Sequence, residues 1–195
     1  IAIARDEAFN FMYRENVEAL KRAGEVVFFS PLRDKSLPEA DMVYFPGGYP
    51  ELHLAELAAN EEMRQSVRKY CETGGRVLAE CGGMMYLCDT ITGDDGKVYP
   101  MAGVLKQGAT MEQMKLKLGY REVRVNGQRI RGHEFHYSRI LPANEKIPVI
   151  GTIYNAKDMV VDTPVYTYKN VLASYIHFYW GECGMDHFLM LMSQK

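Results

Sequence analysis

The chain has 195 residues, 47% of them hydrophobic and 25% charged, with a formal net charge of −2. That balance suits one globular domain with a sizeable core and offers nothing to a polyanion, since there is no basic tail and no aromatic-interleaved Lys/Arg run. No apolar stretch reaches the roughly 18 residues a membrane span needs. No secretory signal precedes the four cysteines and none pairs in a CxxC, so the reading is a cytoplasmic protein with reduced thiols.

The chain opens "IAIARD", without Met and already alternating, which predicts a strand over Ile1 to Arg5 and a domain cut from a longer polypeptide. Phe11 to Ala23 carries apolar residues at helical spacing (Phe11, Met12, Val17, Leu20) and stops at Gly24, a natural residue after a helix C-terminus. "EVVFFS" reads as a buried strand and "ADMVYF" (40–45) as another, followed by a loop, "PGGYPE". Asn60 is placed to cap a helix that begins Glu61-Glu62 and runs to about Thr73. Gly74-Gly75 break it, "RVLAE" is the next strand, and a helix follows from about Gly83 to Cys88. This alternation predicts a parallel sheet covered on both faces.

Between Tyr99 and Tyr168 the chain changes character. Short strand-like pieces ("YREVRV", "FHYSRI", "VVDTPVYTY") are separated by Gly, Pro and Asn, and are expected to add antiparallel strands to the sheet edge. A strand, "NVLASYIHF", and a short apolar helix near Asp186 to Met192 close the chain. Met84, Met85, Met190 and Met192 fall where helices should pack on a sheet, and read as core filler. The whole is one α/β domain, residues 1–195.

One turn carries chemistry. In "RVLAECGGMMYL" Cys81 stands between a strand and a helix, with small residues at Ala79 and Gly83. A nucleophile at such a turn adopts a sharp, strained conformation that lifts its side chain above the sheet, and small neighbours prevent a clash. The helix N-terminus is expected to lower the thiol pKa, and the Gly82 N–H to face an oxyanion on an attacked carbonyl. The alternative is a small core cysteine at a tight turn. A nucleophilic thiol needs a base. His177 ends "LASYIH", where it can stand at the carboxyl edge with Cys81, whereas His53 and His187 read as surface or packing residues. "YFPGGYPE" leaves a strand at the same edge, and Gly48, in the Gly47-Gly48 pair, is the candidate second oxyanion donor.

Four of these segments, "FPGGYPE", "LAECGGMMYL", "RGHEFHYS" and "ASYIHF", together resemble the glutamine amidotransferase domain of the cobyrinic acid a,c-diamide synthases, in the cobBQ-type branch of class I. The likeness runs nearly end to end. It implies a flavodoxin-like three-layer sandwich in which Cys81 attacks the carboxamide of glutamine, giving a thioester and ammonia, with His177 activating the thiol. It also implies a preceding ATP-binding synthetase domain that uses ATP and Mg²⁺ to activate the a and c carboxylates of cobyrinic or hydrogenobyrinic acid. That domain is absent from this chain, which holds no GxxxxGK[ST] phosphate loop. The glutaminase part itself is expected to need no cofactor.

Two positions depart from the wider class. The Glu that commonly orients the His two residues on is Tyr179 here, which leaves the orienting group unassigned, and the glycine usual before the nucleophile is Ala79. Glu51, near the glycine loop, and Glu134 and His136, in "GHEFHYS", are candidate substrate contacts. His133 and His136 lie three apart in a strand-like segment and should point to opposite faces, so no metal site is expected there. Alternatives carried forward are a cobyric acid synthase-type domain, a non-catalytic docking domain of the same fold, and a Cys-dependent hydrolase without glutamine specificity.

Overall fold

A computed structural model describes residues 1–143 and 145–181. The expected closing helix, with His187, Met190 and Met192, lies outside them. The first half runs β1 (Ala2–Ala4), α1 (Arg14–Ala23), β2 (Val27–Phe29), β3 (Met42–Phe45), a 3-10 turn (Pro50–Leu52), α2 (Leu54–Ala59), α3 (Glu61–Glu72), β4 (Arg76–Glu80) and α4 (Gly82–Leu87). The second adds β5 (Cys88–Thr92), β6 (Val98–Pro100), β7 (Leu105–Thr110), β8 (Lys117–Val125), β9 (Gln128–His136), β10 (Arg139–Ile140), β11 (Thr152–Asn155), β12 (Val165–Tyr168), β13 (Val171–Ser174) and β14 (Ile176–Tyr179).

Five strands form the parallel sheet, in the order β2-β1-β3-β4-β13, and β12 joins its far edge antiparallel. By rank along the chain that order is 2-1-3-4-5, the flavodoxin-like arrangement, in which ligands gather at the carboxyl ends of the strands. Alternate residues go to alternate faces. Ala2, Ala4, Val43, Phe45, Val77 and Ala79 meet α2, α3 and α4 on one side. Ile3, Met42, Tyr44, Leu78 and Leu172 face the other, where Ala19 and Leu20 of α1 pack. Asn60 caps α3 through its side-chain oxygen, 3.5 Å from the Met63 N–H, a bond worth about 1 kcal/mol at a helix start.

The second half departs from expectation. Apart from β12 and β13, its strands do not extend the main sheet; they make two separate four-stranded sheets, β10-β7-β5-β6 and β11-β8-β9-β14. The latter turns Val123, Ile130, Ile153, Ile176 and Phe178 inward onto the α1 side of the main sheet. It therefore serves as a layer beside α1. Three smaller corrections follow. "EVVFFS" contains the edge strand β2, with Phe28 exposed. Helix α1 starts at Arg14, because Tyr13 is extended (φ −67°, ψ 136°), which leaves Phe11 and Met12 in the preceding loop. "NVLASYIHF" is two strands broken at Tyr175. Met84 and Met85 are buried as core filler, and no helix among the described residues is long and apolar enough to cross a membrane.

Candidate active site

β4 delivers Cys81 to the carboxyl edge of the parallel sheet. Its backbone has φ 47° and ψ −107°, a conformation an L side chain rarely adopts, which costs on the order of 1–3 kcal/mol and persists only where the surroundings enforce it. They do. The Cys81 N–H donates to the Ser174 carbonyl at 2.7 Å. A Cβ on Gly83 would lie 2.3 Å from the Phe45 carbonyl oxygen, and one on Gly82 would lie 2.7 Å from Pro50 Cδ and 3.0 Å from the Gly48 oxygen. The two glycines after the cysteine let α4 start flush against the end of β3 and the loop beyond it.

That loop is pressed from its other side as well. A Cβ on Gly48 would fall 2.2 Å from the Ala8 carbonyl oxygen. The Ala8 turn is itself organised by Asp6, whose carboxylate accepts from the Ala8, Phe9 and Leu32 N–H groups and from the Ser30 hydroxyl. Sequence reasoning missed Asp6; the "D-x-A-F" spacing, a carboxylate just ahead of two backbone donors, is its signal.

His177 reaches the same place by another route. Main-sheet strand β13 ends at Ser174, whose hydroxyl oxygen accepts from the Ile176 N–H at 3.2 Å. The chain turns there and enters β14, paired to β9 with His177 opposite His133. The His177 ring packs against Gly47, where a Cβ would sit 2.2 Å from its Cε1. His133 stacks on it, with centroids 4.7 Å apart at 15°, and Phe11 meets it edge-on at 4.6 Å. Phe11 is held by its own N–H to the Gly47 carbonyl, 3.0 Å, and His133 Nδ1 shares a 2.5 Å hydrogen bond with the Tyr13 hydroxyl. Among the described residues His177 Nδ1 is buried without a hydrogen-bond partner, and packing rather than a carboxylate surrounds the ring.

Electrostatically the pair is neutral. Burial pushes the Cys81 thiol up to about 12; Glu51 adds to this, the Gly82 N–H opposes it, and Glu80 and Glu134 raise it further. The expected depression by the helix N-terminus is outweighed: α4 has six residues and the thiol is 6% exposed. Burial, then the neighbouring His133 and His136, brings His177 down to about 3. The thiol and the imidazole are thus both held in their neutral forms. The Cys81 thiol donates to the Phe135 carbonyl, with Sγ 3.8 Å from the oxygen.

The structure brings together Cys81, Gly82, Gly47, Gly48 and His177, and Glu51 joins them from the 3-10 turn, its carboxyl raised by burial. Glu134 and His136 lie close enough to act on Cys81 and His177 electrostatically, but on another face. They sit on the inner face of β9, opposite to His133 and His177. Glu134 is ion-paired to Arg121 at 2.7 Å and bonded to Thr163 and to His136 Nε2, and His136 Nδ1 meets the Ser138 carbonyl. Burial pulls the Glu134 carboxyl up, but His136, Thr163 and Arg121 outweigh it and hold it at about 2. The His136 ring lies flat on Tyr175, 3.5 Å between centroids.

The model of the CobB/CobQ-like glutamine amidotransferase domain matches residues 1–184. The chain is 36% identical over 191 residues to a cobyrinate a,c-diamide synthase of Salmonella typhimurium, an alignment covering 93% of this chain and 42% of that protein. It is 40% identical over 180 residues to a hydrogenobyrinate a,c-diamide synthase of Pseudomonas aeruginosa, covering 92% and 41%. It thus spans about two-fifths of the length of these curated relatives. Among solved structures, PurLQS from Thermotoga maritima superposes with a TM-score of 0.60 at 19% identity, covering 90% of this chain and 85% of that one. A structure described as a glutamine amidotransferase superposes at 0.58 and 23%, covering 91% and 89%. Both share the fold.

Proposed function

The chain belongs to the CobB/CobQ-like glutamine amidotransferase domain family, and from that premise we propose that Cys81 is its nucleophile and His177 its base. The thiol sulfur attacks the glutamine carboxamide carbon while the neutral imidazole takes the thiol proton. The Gly48 and Gly82 N–H groups stabilise the oxyanion. The proton passes to the departing nitrogen, ammonia leaves, and water cleaves the thioester to glutamate. Glu51 offers its carboxylate to the α-ammonium group of glutamine. In this reading Glu134 and His136 hold β9 in place and do not touch substrate.

One observation carries the proposal: the strained Cys81 turn and the His177 ring both close on the Gly47-Gly48 loop, although the three come from separate parts of the chain. The ammonia serves an amidation. The acceptors are the a and c carboxylates of cobyrinate or hydrogenobyrinate, for which the relatives are named. A carboxylate must be activated before ammonia can displace oxygen from it. That step, with ATP and Mg²⁺, is assigned to a synthetase domain in the remaining length of the full-size enzyme. The docking-domain alternative gives no reason for a strained cysteine turn and a buried histidine set against the same glycine loop.

The test is glutamine hydrolysis, followed as glutamate and ammonia. Wild type turns over and Cys81→Ala does not; equal rates for the two would overturn the assignment. Full-length enzyme given glutamine, ATP, Mg²⁺ and cobyrinate should form the diamide, and the Cys81→Ala form should do so only with added ammonia.

A further inference from the structure

Among the described residues β14 is an edge strand, paired with β9 on one side. A buried edge leaves backbone groups without ladder partners, and each such group is costly unless something else satisfies it. Two buried side chains do so around the residue after His177. Glu80 Oε1 accepts from the Phe178 N–H at 3.2 Å, across 98 residues of sequence. Asn16 of α1 donates its Nδ2 to the Phe178 carbonyl at 2.7 Å and accepts from the Trp180 N–H at 2.9 Å.

Glu80 is the unusual member. It directly precedes the nucleophile, is 1% exposed, and its other bond is to the Tyr44 hydroxyl at 2.8 Å. Among the described residues its hydrogen-bond partners are a phenol and a peptide, with no cation, and burial raises this carboxyl to about 8. A carboxyl kept in such a place costs stability that a hydrophobic residue would not. What it provides is a tie between two sheets. β4, which leads into Cys81, belongs to the parallel sheet and β14, which carries His177, to another. Two hydrogen bonds bracket the base. The Ser174 hydroxyl oxygen takes the N–H of Ile176, before it, and Glu80 takes the N–H of Phe178, after it.

We propose that Glu80 is a positioning residue for His177, fixing the base relative to Cys81 by holding the peptide N–H that follows it. The inference rests on the reading of Cys81 and His177 as nucleophile and base. The orienting carboxyl thus comes from beside the nucleophile and acts on the backbone of the base, leaving the ring to its stack of His133 and Phe11. Glu80→Gln preserves the function, because its carbonyl oxygen accepts from Phe178 and its NH₂ donates to Tyr44. Glu80→Leu fills the space and removes the acceptor.

The experiment measures kcat and KM for glutamine in both variants, with thermal unfolding as a check on folding. Glu80→Leu should lose about a hundredfold in kcat, the scale of a misplacement of about 1 Å, with KM within about twofold. Glu80→Gln should stay within about threefold of wild type. A folded Glu80→Leu with wild-type kcat, or a Glu80→Gln as impaired as the leucine variant, overturns the proposal. Should Glu80→Leu fail to fold, Glu80→Asp decides. It withdraws the carboxyl by one methylene and should lose about tenfold in kcat at unchanged KM, and an unaltered kcat refutes the tie. A wild type that hydrolyses no glutamine defeats the functional reading instead. The same variants are then ranked by the rate at which iodoacetamide alkylates Cys81: wild type and Gln together, Asp slower and Leu slowest supports the positioning role, and equal rates refute it.

Discussion

At the scale of single residues, the site is built by withholding rather than adding interactions. Cys81 keeps a backbone conformation suited to glycine, so Cys81→Gly should be about 1 kcal/mol more stable than Cys81→Ala in denaturant titrations. Both should lose glutamine hydrolysis by at least about a thousandfold. The titrations are equally distinctive. With His177 held near 3 and Cys81 near 12, neither changes charge across the neutral range. Glu80, near 8, does change charge close to that range. Once ionised beside Cys81 it opposes thiolate formation, so kcat/KM should fall as pH rises through about 8 in wild type and not in Glu80→Gln. A rate that instead rises through the ordinary imidazole range, about 6.5, would contradict the electrostatic account. Glu51→Gln should raise KM for glutamine about tenfold and leave kcat nearly unchanged, as loss of uniform binding does; a fall in kcat alone would give Glu51 a different role.

At the scale of elements, the two glycine pairs do separate work. Gly47→Ala puts a methyl group into the His177 ring, a side chain that can move, whereas Gly83→Ala drives one into the Phe45 backbone, which cannot. The first should cost activity, tenfold or more, with little change in melting temperature; the second should cost about 2–3 kcal/mol of stability. Measuring both on both variants separates the effects, and a reversed pattern would refute the assignment. What was legible in the chain follows the same division. Cys81 and its glycines could be read because a turn is local, and so could Asn60 and Gly24 at helix ends. β14 could not. The alternation in "ASYIHF" is continuous, and the break at Tyr175 comes from the Ser174 hydroxyl capturing the Ile176 N–H and from a partner strand about 40 residues away. The pattern in "YREVRV" likewise shows which face is buried without showing which sheet it joins. Glu80, Asn16 and Asp6 were missed as organisers because their partners are distant in sequence or are bare backbone groups.

At the scale of the whole molecule, two buried carboxyls pull stability in opposite directions with pH. Glu134 sits at about 2 in the folded state against an ordinary 4.5, so its contribution is complete above 4.5 and is lost as pH falls toward 2. Glu80 sits at about 8 against 4.5, so the folded state keeps a proton that the unfolded chain releases, and stability declines as pH rises from 4.5 to 8. Glu80→Gln should therefore exceed wild type in stability by an amount that grows over this interval to the order of a few kcal/mol. A constant offset between the two curves would argue against a protonated Glu80. Cys81, the glycine loop and the clamped His177 make one claim together: this chain forms a working glutamine site. It is tested most directly by intact-mass analysis after incubation with 6-diazo-5-oxonorleucine, a glutamine-like electrophile, on wild type and on Cys81→Ser. The account predicts one adduct on wild type, suppressed by added glutamine and absent from Cys81→Ser. An adduct that glutamine does not suppress, or one that survives the loss of Cys81, would contradict it.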